Sequence, residues 1–225
     1  MPKITVLLAE DHTVVRQGLC ALLSAEPDIE VVGEAETGRE AVEMVAKLLP
    51  DVVVMDIAMP QLNGLEATRQ ILRKSTSTKI VILSTYSDEE YVEQLTNAGA
   101  IGYLVKQTAA SDLVRAIHEA KLGNVFFSPS IARRMLDNCR RAFLEGKPAS
   151  RTAPSLTSRQ CEVLQLIAEG MTNKAIAAEL CISVKTVEKH RQQVKNKLNL
   201  HDIAGLTRYA IAHGIVESKA HLNSV

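Results

Sequence analysis

The sequence predicts a doubly wound α/β domain built on a five-stranded parallel sheet, followed by a small all-α domain. Three observations predict it. Val- and Ile-rich runs recur at about residues 3–9, 29–34, 51–56, 79–84 and 101–105, and helical patterns fill the gaps between them. Such alternation demands a parallel sheet with right-handed crossovers and helices on both faces. From Leu156 to Leu198 the strand pattern gives way to short, closely spaced amphipathic segments. Charge divides the 225 residues in the same place: Lys plus Arg number 16 against 20 Asp plus Glu in residues 1–150, and 10 against 6 in residues 151–225. The halves therefore carry −4 and +4 beneath a net charge of zero, and the basic half is the one suited to a polyanion.

In the first half, the run KITVLLAED closes on Glu10 and Asp11, DVVVMD on Asp56, VILS on Ser84 and IGYLVK on Lys106. Buried parallel strands read as near-continuous apolar runs, and ligands bind at their carboxyl ends. Three carboxylates and one ammonium are thus expected to share one pocket. Aromatic residues make up only 3% and Trp is absent, so aliphatic side chains must fill the core. After Gly123, the segment SPSIARRMLDNCRRAFLEG predicts a basic amphipathic helix belonging to neither core, with Ser128 as cap and Pro129 in its first turn. The stretch EGKPASRTAPS combines Gly, Pro, Ser and Ala without apolar periodicity, which places an interdomain linker at about 145–155.

The second half opens with Thr157 and Gln160 at capping-box spacing, then Val163, Leu164, Ile167 and Ala168 on one face. Gly170 ends that helix, Thr172 caps the next, and Ser183 caps a third running to about Leu198. The tight Cys-Ile-Ser connection between the second and third is what a helix-turn-helix requires. Cys20, Cys139, Cys161 and Cys181 are far apart and form no CxxC pair, so they read as small buried residues of a reducing compartment. The N-terminal apolar run is too short for a signal segment, and no later run approaches a membrane span. The expectation is a soluble, cytoplasmic protein with no membrane partner.

Crowded carboxylates repel one another unless they share a cation, and hard oxygen ligands suit Mg²⁺, which binds readily with phosphate. Asp56, ending the central strand, is placed to act as a nucleophile toward a phosphoryl group. Lys106 is placed to neutralise the charge that develops, and Ser84 offers a short hydroxyl at the same edge. A strand-terminal Asp alone is more often a turn or cap residue, so the joint placement carries the reading.

On these residues, 1–122 resemble the receiver domain of two-component response regulators, a flavodoxin-like fold. The resemblance implies that Glu10 and Asp11 hold Mg²⁺ with Asp56 and the Ala58 carbonyl, and that Asp56 accepts the phosphoryl group. It implies a switch role for Ser84 and Tyr103, phosphate binding for Lys106, and a sensor histidine kinase as donor. MDIAMPQLNG, with Pro60 and Gly64, matches the loop after the phosphoacceptor strand. Where many receivers carry Pro after the lysine, often with a cis bond, this chain has Gln107.

On a helical wheel with Val187 at zero and ~100° per residue, Arg191, Val194 and Leu198 fall within about 40°, and this is the buried stripe. Lys185, Lys189, Gln192 and Asn196 centre near ~170° and form the groove-facing set. Glu188 borders this face, where it could accept from a cytosine amino group. Lys174, Arg191, Lys195 and Lys197 are assigned to the DNA backbone. His190 is assigned packing or phosphate contact and His12 the pocket rim. Neither is given a phosphoryl-carrier role.

LTSRQCEVLQLIAEG, TNKAIAAEL and SVKTVEKHRQQVKNKLNL, in this order, resemble the LuxR-type DNA-binding domain over residues 156–216. Together the two resemblances identify a response regulator of the NarL/FixJ type, leaving 123–155 as a linker with one helix and 217–225 as a tail. They imply binding to double-stranded promoter DNA as a homodimer, paired through a last helix at about Asp202–His213 with Leu206, Tyr209 and Ala210. Ala204, Leu206 and Ile211 are the residues expected to close the small domain's own core. Two rivals fit less well. A Mg²⁺-dependent aspartyl-phosphate hydrolase needs a substrate cap and a second Asp near the nucleophile, whereas Ile57, Ala58 and Met59 follow Asp56. A phosphorylation-independent scaffold would not need both the acidic set and the basic helix.

Overall fold

The computed structural model describes residues 2–85, 89–107, 110–145 and 156–216. The linker centred on 146–155 and the tail at 217–225 lie outside the described residues.

The first half alternates as expected: β1 (Ile4–Ala9), α1 (Thr13–Ser24), β2 (Ile29–Ala35), α2 (Gly38–Leu48), β3 (Val52–Met55), α3 (Gly64–Lys74), β4 (Lys79–Ser84), α4 (Glu89–Asn97), β5 (Gly102–Val105) and α5 (Ala110–Leu122). With a further short strand, β6 (Phe126–Phe127), the strands lie in the order β2-β1-β3-β4-β5-β6, all parallel. The chain winds outward from β1 to β2 and then back across to β3, so a crevice opens where β1 and β3 end side by side. Because strand side chains alternate between faces, Val53, Met55, Ile80 and Ile82 pack with Ala41, Val45, Ala67, Ile71 and Leu95 of α2–α4 on one side. Val52, Val54, Val81 and Leu83 pack with Leu23 of α1 and Leu113, Ala116 and Ile117 of α5 on the other.

Two features correct the sequence reading. The sheet has six strands, not five, because Phe126–Phe127 form β6 and pair with Gly102 and Tyr103 of β5. The helix expected to belong to neither core, α6 (Pro129–Glu145), packs on the core of the α/β domain through the fully buried Ile131 and through Met135. The segment from 123 onward is therefore partly integral to the α/β domain. A two-residue strand is below the length at which periodicity can register.

The small domain comprises α7 (Ser158–Ala168), α8 (Asn173–Glu179), α9 (Val184–Leu198) and α10 (Ile203–Ala212). Its boundaries follow the caps. Thr157 and Gln160 form the capping box, and the Thr172, Ser183 and Asp202 side chains accept from Ala175, Thr186 and Gly205 N–H at 3.2, 3.1 and 2.7 Å. Val163, Leu164, Leu166, Ile167, Ile176, Val187, Val194, Leu206 and Ala210 make its core.

On α10 the structure reverses several assignments. Leu206 and Ala210 are fully buried in the domain's own core, so they present nothing to a second copy. Ala204 and Ile211, expected inside, are exposed. Of the proposed pairing residues Tyr209 alone remains partly accessible, stacked on His213 at 3.9 Å between ring centroids. Cys181 is exposed, and Cys20 and Cys161 are half-buried, so none is the fully buried residue expected. The Cys139 side chain lies outside the described residues.

Candidate functional site

The crevice between β1 and β3 collects the acidic residues. Glu10 and Asp56 are 2% and 3% exposed, Asp11 is half-buried, and these three with His12 have ligand atoms within 4.8 Å of one another. β5 brings Lys106 in from the opposite side. Its Nζ lies 2.7 Å from Glu10 Oε2 and 3.0 Å from Asp56 Oδ2. Ser84, fully buried, ends the strand between them.

Electrostatics follow from this packing. Burial pushes the Asp56 carboxyl up to about 6, the Lys106 ammonium pulls it down and the Glu10 carboxylate pushes it up again. Burial works against the Lys106 charge, but Asp56 and Glu10 outweigh it and hold the ammonium above its ordinary range. Asp56 Oδ1 accepts from the Ile57 N–H at 2.8 Å. Asp11 Oδ1 and Asp56 Oδ2 are buried oxygens without a well-aligned hydrogen-bond donor among the described residues. Three carboxylates gathered against one ammonium, two of their oxygens buried without a well-aligned donor, are what a hard divalent cation such as Mg²⁺ would complete, so the residues fit that ion.

The raised Asp56 pKa makes the stability of the fold depend on pH. Folding favours the neutral acid, so the stability Asp56 allows is fully present below the ordinary value of 3.8 and is lost as pH rises toward about 6. In chelator, Asp56→Asn is expected to be more stable than the parent at pH 7, by of order 1–3 kcal/mol, with the difference closing near pH 4. Urea unfolding at the two pH values checks this, and a difference independent of pH would contradict it.

Other predicted residues fall as follows. His12 is a neighbour of the acidic pair, its Nδ1 2.9 Å from Asp11 Oδ1 and 3.2 Å from Glu10 Oε1. Tyr103 is 1% exposed and among the largest fully buried side chains. Ala58 is buried in the loop after Asp56. No cis peptide occurs among the described residues, which include Lys106 and Gln107. On α9 the side chains of Lys185, Glu188, Lys189, Gln192, Asn196 and Lys197 are exposed, as is Lys174 on α8. Lys195 and Arg191 are half-buried, and Arg191 Nη1 donates to Asn173 Oδ1 at 3.0 Å, tying α9 to the start of α8. His190 is half-buried with Nδ1 inside the domain, away from the acidic crevice.

Sequence reasoning missed two sets of residues. Arg16 is 7% exposed, donates from Nη1 to the Glu10 carbonyl at 2.8 Å and pairs with Glu34 and Glu36 at 3.2 and 2.6 Å, which fixes the backbone under the acidic pair. The second set joins the domains. α7 lies against the loop after Asp56 through Gln165 and Glu169, while Gln70 donates to Glu162 at 3.0 Å and Arg39 pairs with Glu179 at 3.0 Å. The loop itself is closely held. A Cβ on Gly64 would lie 2.0 Å from the Asp56 carbonyl oxygen, and one on Gly38 would lie 2.0 Å from that of Leu62.

An acidic, lysine-bearing crevice on a doubly wound sheet, joined to a capped helix-turn-helix with a basic open face, defines the class of two-domain regulators in which a receiver-type domain is coupled to a DNA reader. The comparisons agree with that class. The model for the response regulator receiver domain matches residues 6–118, and that for bacterial regulatory proteins of the luxR family matches residues 154–210. The chain is 40% identical to the transcriptional regulatory protein LiaR of Bacillus subtilis over 213 residues, covering 95% of this chain and 99% of that protein. It is 33% identical to the response regulator VraR of Staphylococcus aureus, covering 95% and 99%. A LuxR-family response regulator from Aurantimonas superposes with TM-score 0.60 at 32% identity over 61% of this chain and 99% of its own. The response regulator RcsB in complex with DNA superposes with TM-score 0.57 at 26% identity, covering 92% and 97%. The chain belongs to the LuxR family of two-component response regulators, and it is a transcription regulator with a receiver and a LuxR-type DNA-binding domain. No described helix is long and apolar enough to cross a membrane.

Proposed function

We propose that phosphorylation of Asp56 by a sensor histidine kinase controls the binding of this regulator to promoter DNA in the cytoplasm. The observation that carries the reading is the convergence of Glu10, Asp11, Asp56 and Lys106 at one crevice, on the same chain as an exposed basic helix. With a carboxyl value of about 6, Asp56 is mostly ionised at neutral pH and so available as a nucleophile. A carboxylate oxygen bonds to phosphorus as the bond from phosphorus to the donor histidine, or to acetate in acetyl phosphate, breaks. Lys106 faces both Glu10 and Asp56 and neutralises charge on the phosphoryl oxygens. Glu10, Asp11, Asp56 and the Ala58 carbonyl would hold Mg²⁺, which when bound offsets the negative charge of the transferring group. Ser84 and Tyr103, on the adjacent strands β4 and β5, would report the new phosphoryl group to the outer surface. The domain limits that accompany this reading are a receiver over 1–122, to whose sheet and core β6 and α6 of the segment 123–155 are added, and the DNA-binding domain over 156–216.

Lys185, Lys189, Gln192 and Asn196 would enter the major groove, with Glu188 at their border and Lys174, Lys195 and Lys197 on phosphates. Arg191 gives Nη1 to Asn173 and would offer a phosphate its remaining N–H groups. Paired half-sites call for a homodimer, in which Tyr209 is the accessible candidate on α10. Sedimentation and DNA titration at fixed salt, with and without acetyl phosphate, test the coupling. Phosphorylation is expected to tighten operator binding, with or without dimer formation, and no change in either quantity removes Asp56 from control.

The cation reading has its own test. Asp11→Ala is expected to weaken Mg²⁺ binding and slow phosphorylation while leaving the circular-dichroism spectrum unchanged, because Asp11 lies at the rim rather than in the core. An undiminished rate in that variant would contradict it.

A further inference from the structure

Three backbone groups of the loop from Ile57 to Asn63, the Met59 carbonyl and the Gln61 and Asn63 N–H, find their partners in the other domain. Gln165 is fully buried. Its Nε2 donates to the Met59 carbonyl at 2.8 Å, and its Oε1 accepts from the Asn63 N–H at 2.8 Å. A single side-chain amide therefore bridges two peptides four residues apart. Nε2 also donates to Glu169 Oε1 at 2.9 Å, and that oxygen accepts from the Gln61 N–H at 3.1 Å. Gln61 sits at φ 65, a left-handed conformation that a non-glycine residue holds only with support.

What this contact leaves alone is equally informative. Every receiver group in it belongs to α2, α3 or the loop between β3 and α3, whereas Ser84, Tyr103 and Lys106 lie on or after β4 and β5, beyond β3 in the sheet. The groove-facing side chains of α9 stay exposed while the domain is docked. The docked helix therefore leaves those α9 side chains open to water, and its contacts do not include the switch residues. It touches the segment that carries the carbonyl of Ala58.

We infer that Gln165 is a positioning residue for the phosphoacceptor site: it fixes the loop so that docking of the helical domain strengthens divalent-cation binding beside Asp56. The inference rests on the cation reading given above. Ala58 lies between two pinned peptides. On one side Ile57 donates to Asp56 Oδ1 at 2.8 Å and its carbonyl accepts from Gly64 N–H at 2.7 Å, and on the other the Met59 carbonyl is held by Gln165. A ligand already ordered loses less entropy when the cation arrives. By linkage, the cation must stabilise docking by the same factor that docking strengthens the cation's binding.

Titration calorimetry of full-length protein with Mg²⁺ tests this on the parent, Gln165→Met, Glu169→Gln and Asp11→Ala. Gln165→Met keeps the side-chain volume and removes both bridging hydrogen bonds. Its Mg²⁺ Kd is expected to rise by roughly two- to tenfold per hydrogen bond, and Glu169→Gln to show a smaller rise. The Gln61 and Asn63 amide resonances of Gln165→Met should move even without metal, and its affinity for a random-sequence duplex should match the parent's. Unchanged Mg²⁺ affinity in a folded Gln165→Met overturns the inference, as does tighter DNA binding with Mg²⁺ affinity intact, which would mean the contact masks the reader. Should Gln165→Met not fold, an unchanged Kd in Glu169→Gln overturns it instead. If the parent binds Mg²⁺ no better than Asp11→Ala, the cation reading itself falls and takes this one with it.

Discussion

Incubated with Mg²⁺ and acetyl phosphate, the parent is expected to gain one phosphoryl group and Asp56→Asn none, as read by intact mass. Asp56 is the one carboxylate of the crevice that ends the central strand β3, has an oxygen facing Lys106 and is fixed by the Ile57 N–H. Glu10 also faces Lys106, but its Oε1 is occupied by the backbone N–H of His12 at 3.2 Å, and Asp11 stands at the rim. Asparagine preserves shape but its amide is no nucleophile, so the loss should be complete rather than partial. Equal labelling of the two proteins would place the phosphoacceptor elsewhere in the crevice.

The second large effect belongs to α9. Lys189→Ala and Gln192→Ala are each expected to relax preference at particular base positions, at about 1–3 kcal/mol per lost bidentate contact. Lys197→Ala should weaken all sequences nearly alike and reduce the salt slope by about one. The structure adds a refinement: Gln192 Nε2 donates to Asn196 Oδ1 at 2.9 Å, one turn away on the same exposed face. The two amides are presented as a unit, so the Gln192/Asn196 double variant should lose less than the sum of the single losses. Operator and scrambled-duplex titrations at two salt concentrations distinguish these outcomes, and a uniform loss in all the variants would mean the groove face lies elsewhere on the helix.

Much of this architecture was legible because each signal is local. β1, β3 and β5 are apolar runs followed at once by a charged residue and β4 closes on a hydroxyl, and the Thr157, Thr172 and Ser183 caps mark helix starts within a few residues of chain. What failed depends on contacts between segments far apart. β6 exists only because β5 offers Phe126 and Phe127 an unpaired edge. A wheel alone does not say which side of α10 meets α7, and so it places Ala204 and Ile211 inward, Ala210 outward and Leu206 in both roles, of which only its place in the core holds. Arg16 lies on a helix that otherwise reads as amphipathic, and nothing nearby in sequence reveals that its guanidinium reaches back to Glu10 and across to Glu36. Gln165 is a polar residue within an apolar helix. Its role comes from Met59 and Asn63, 106 and 102 residues away.

The two glycines that flank the phosphoacceptor loop set a limit on how this sequence can drift. With only hydrogen where Gly64 meets the Asp56 carbonyl and Gly38 meets the Leu62 carbonyl, even alanine would collide with main-chain oxygen that cannot swing aside. Neighbouring surface positions such as Arg73 and Lys74 face water and carry no such restriction. A saturation library selected for promoter activity should therefore return a single amino acid at 38 and 64 amid broad tolerance a few residues downstream, so that the loop's shape becomes readable as silence in an otherwise noisy profile.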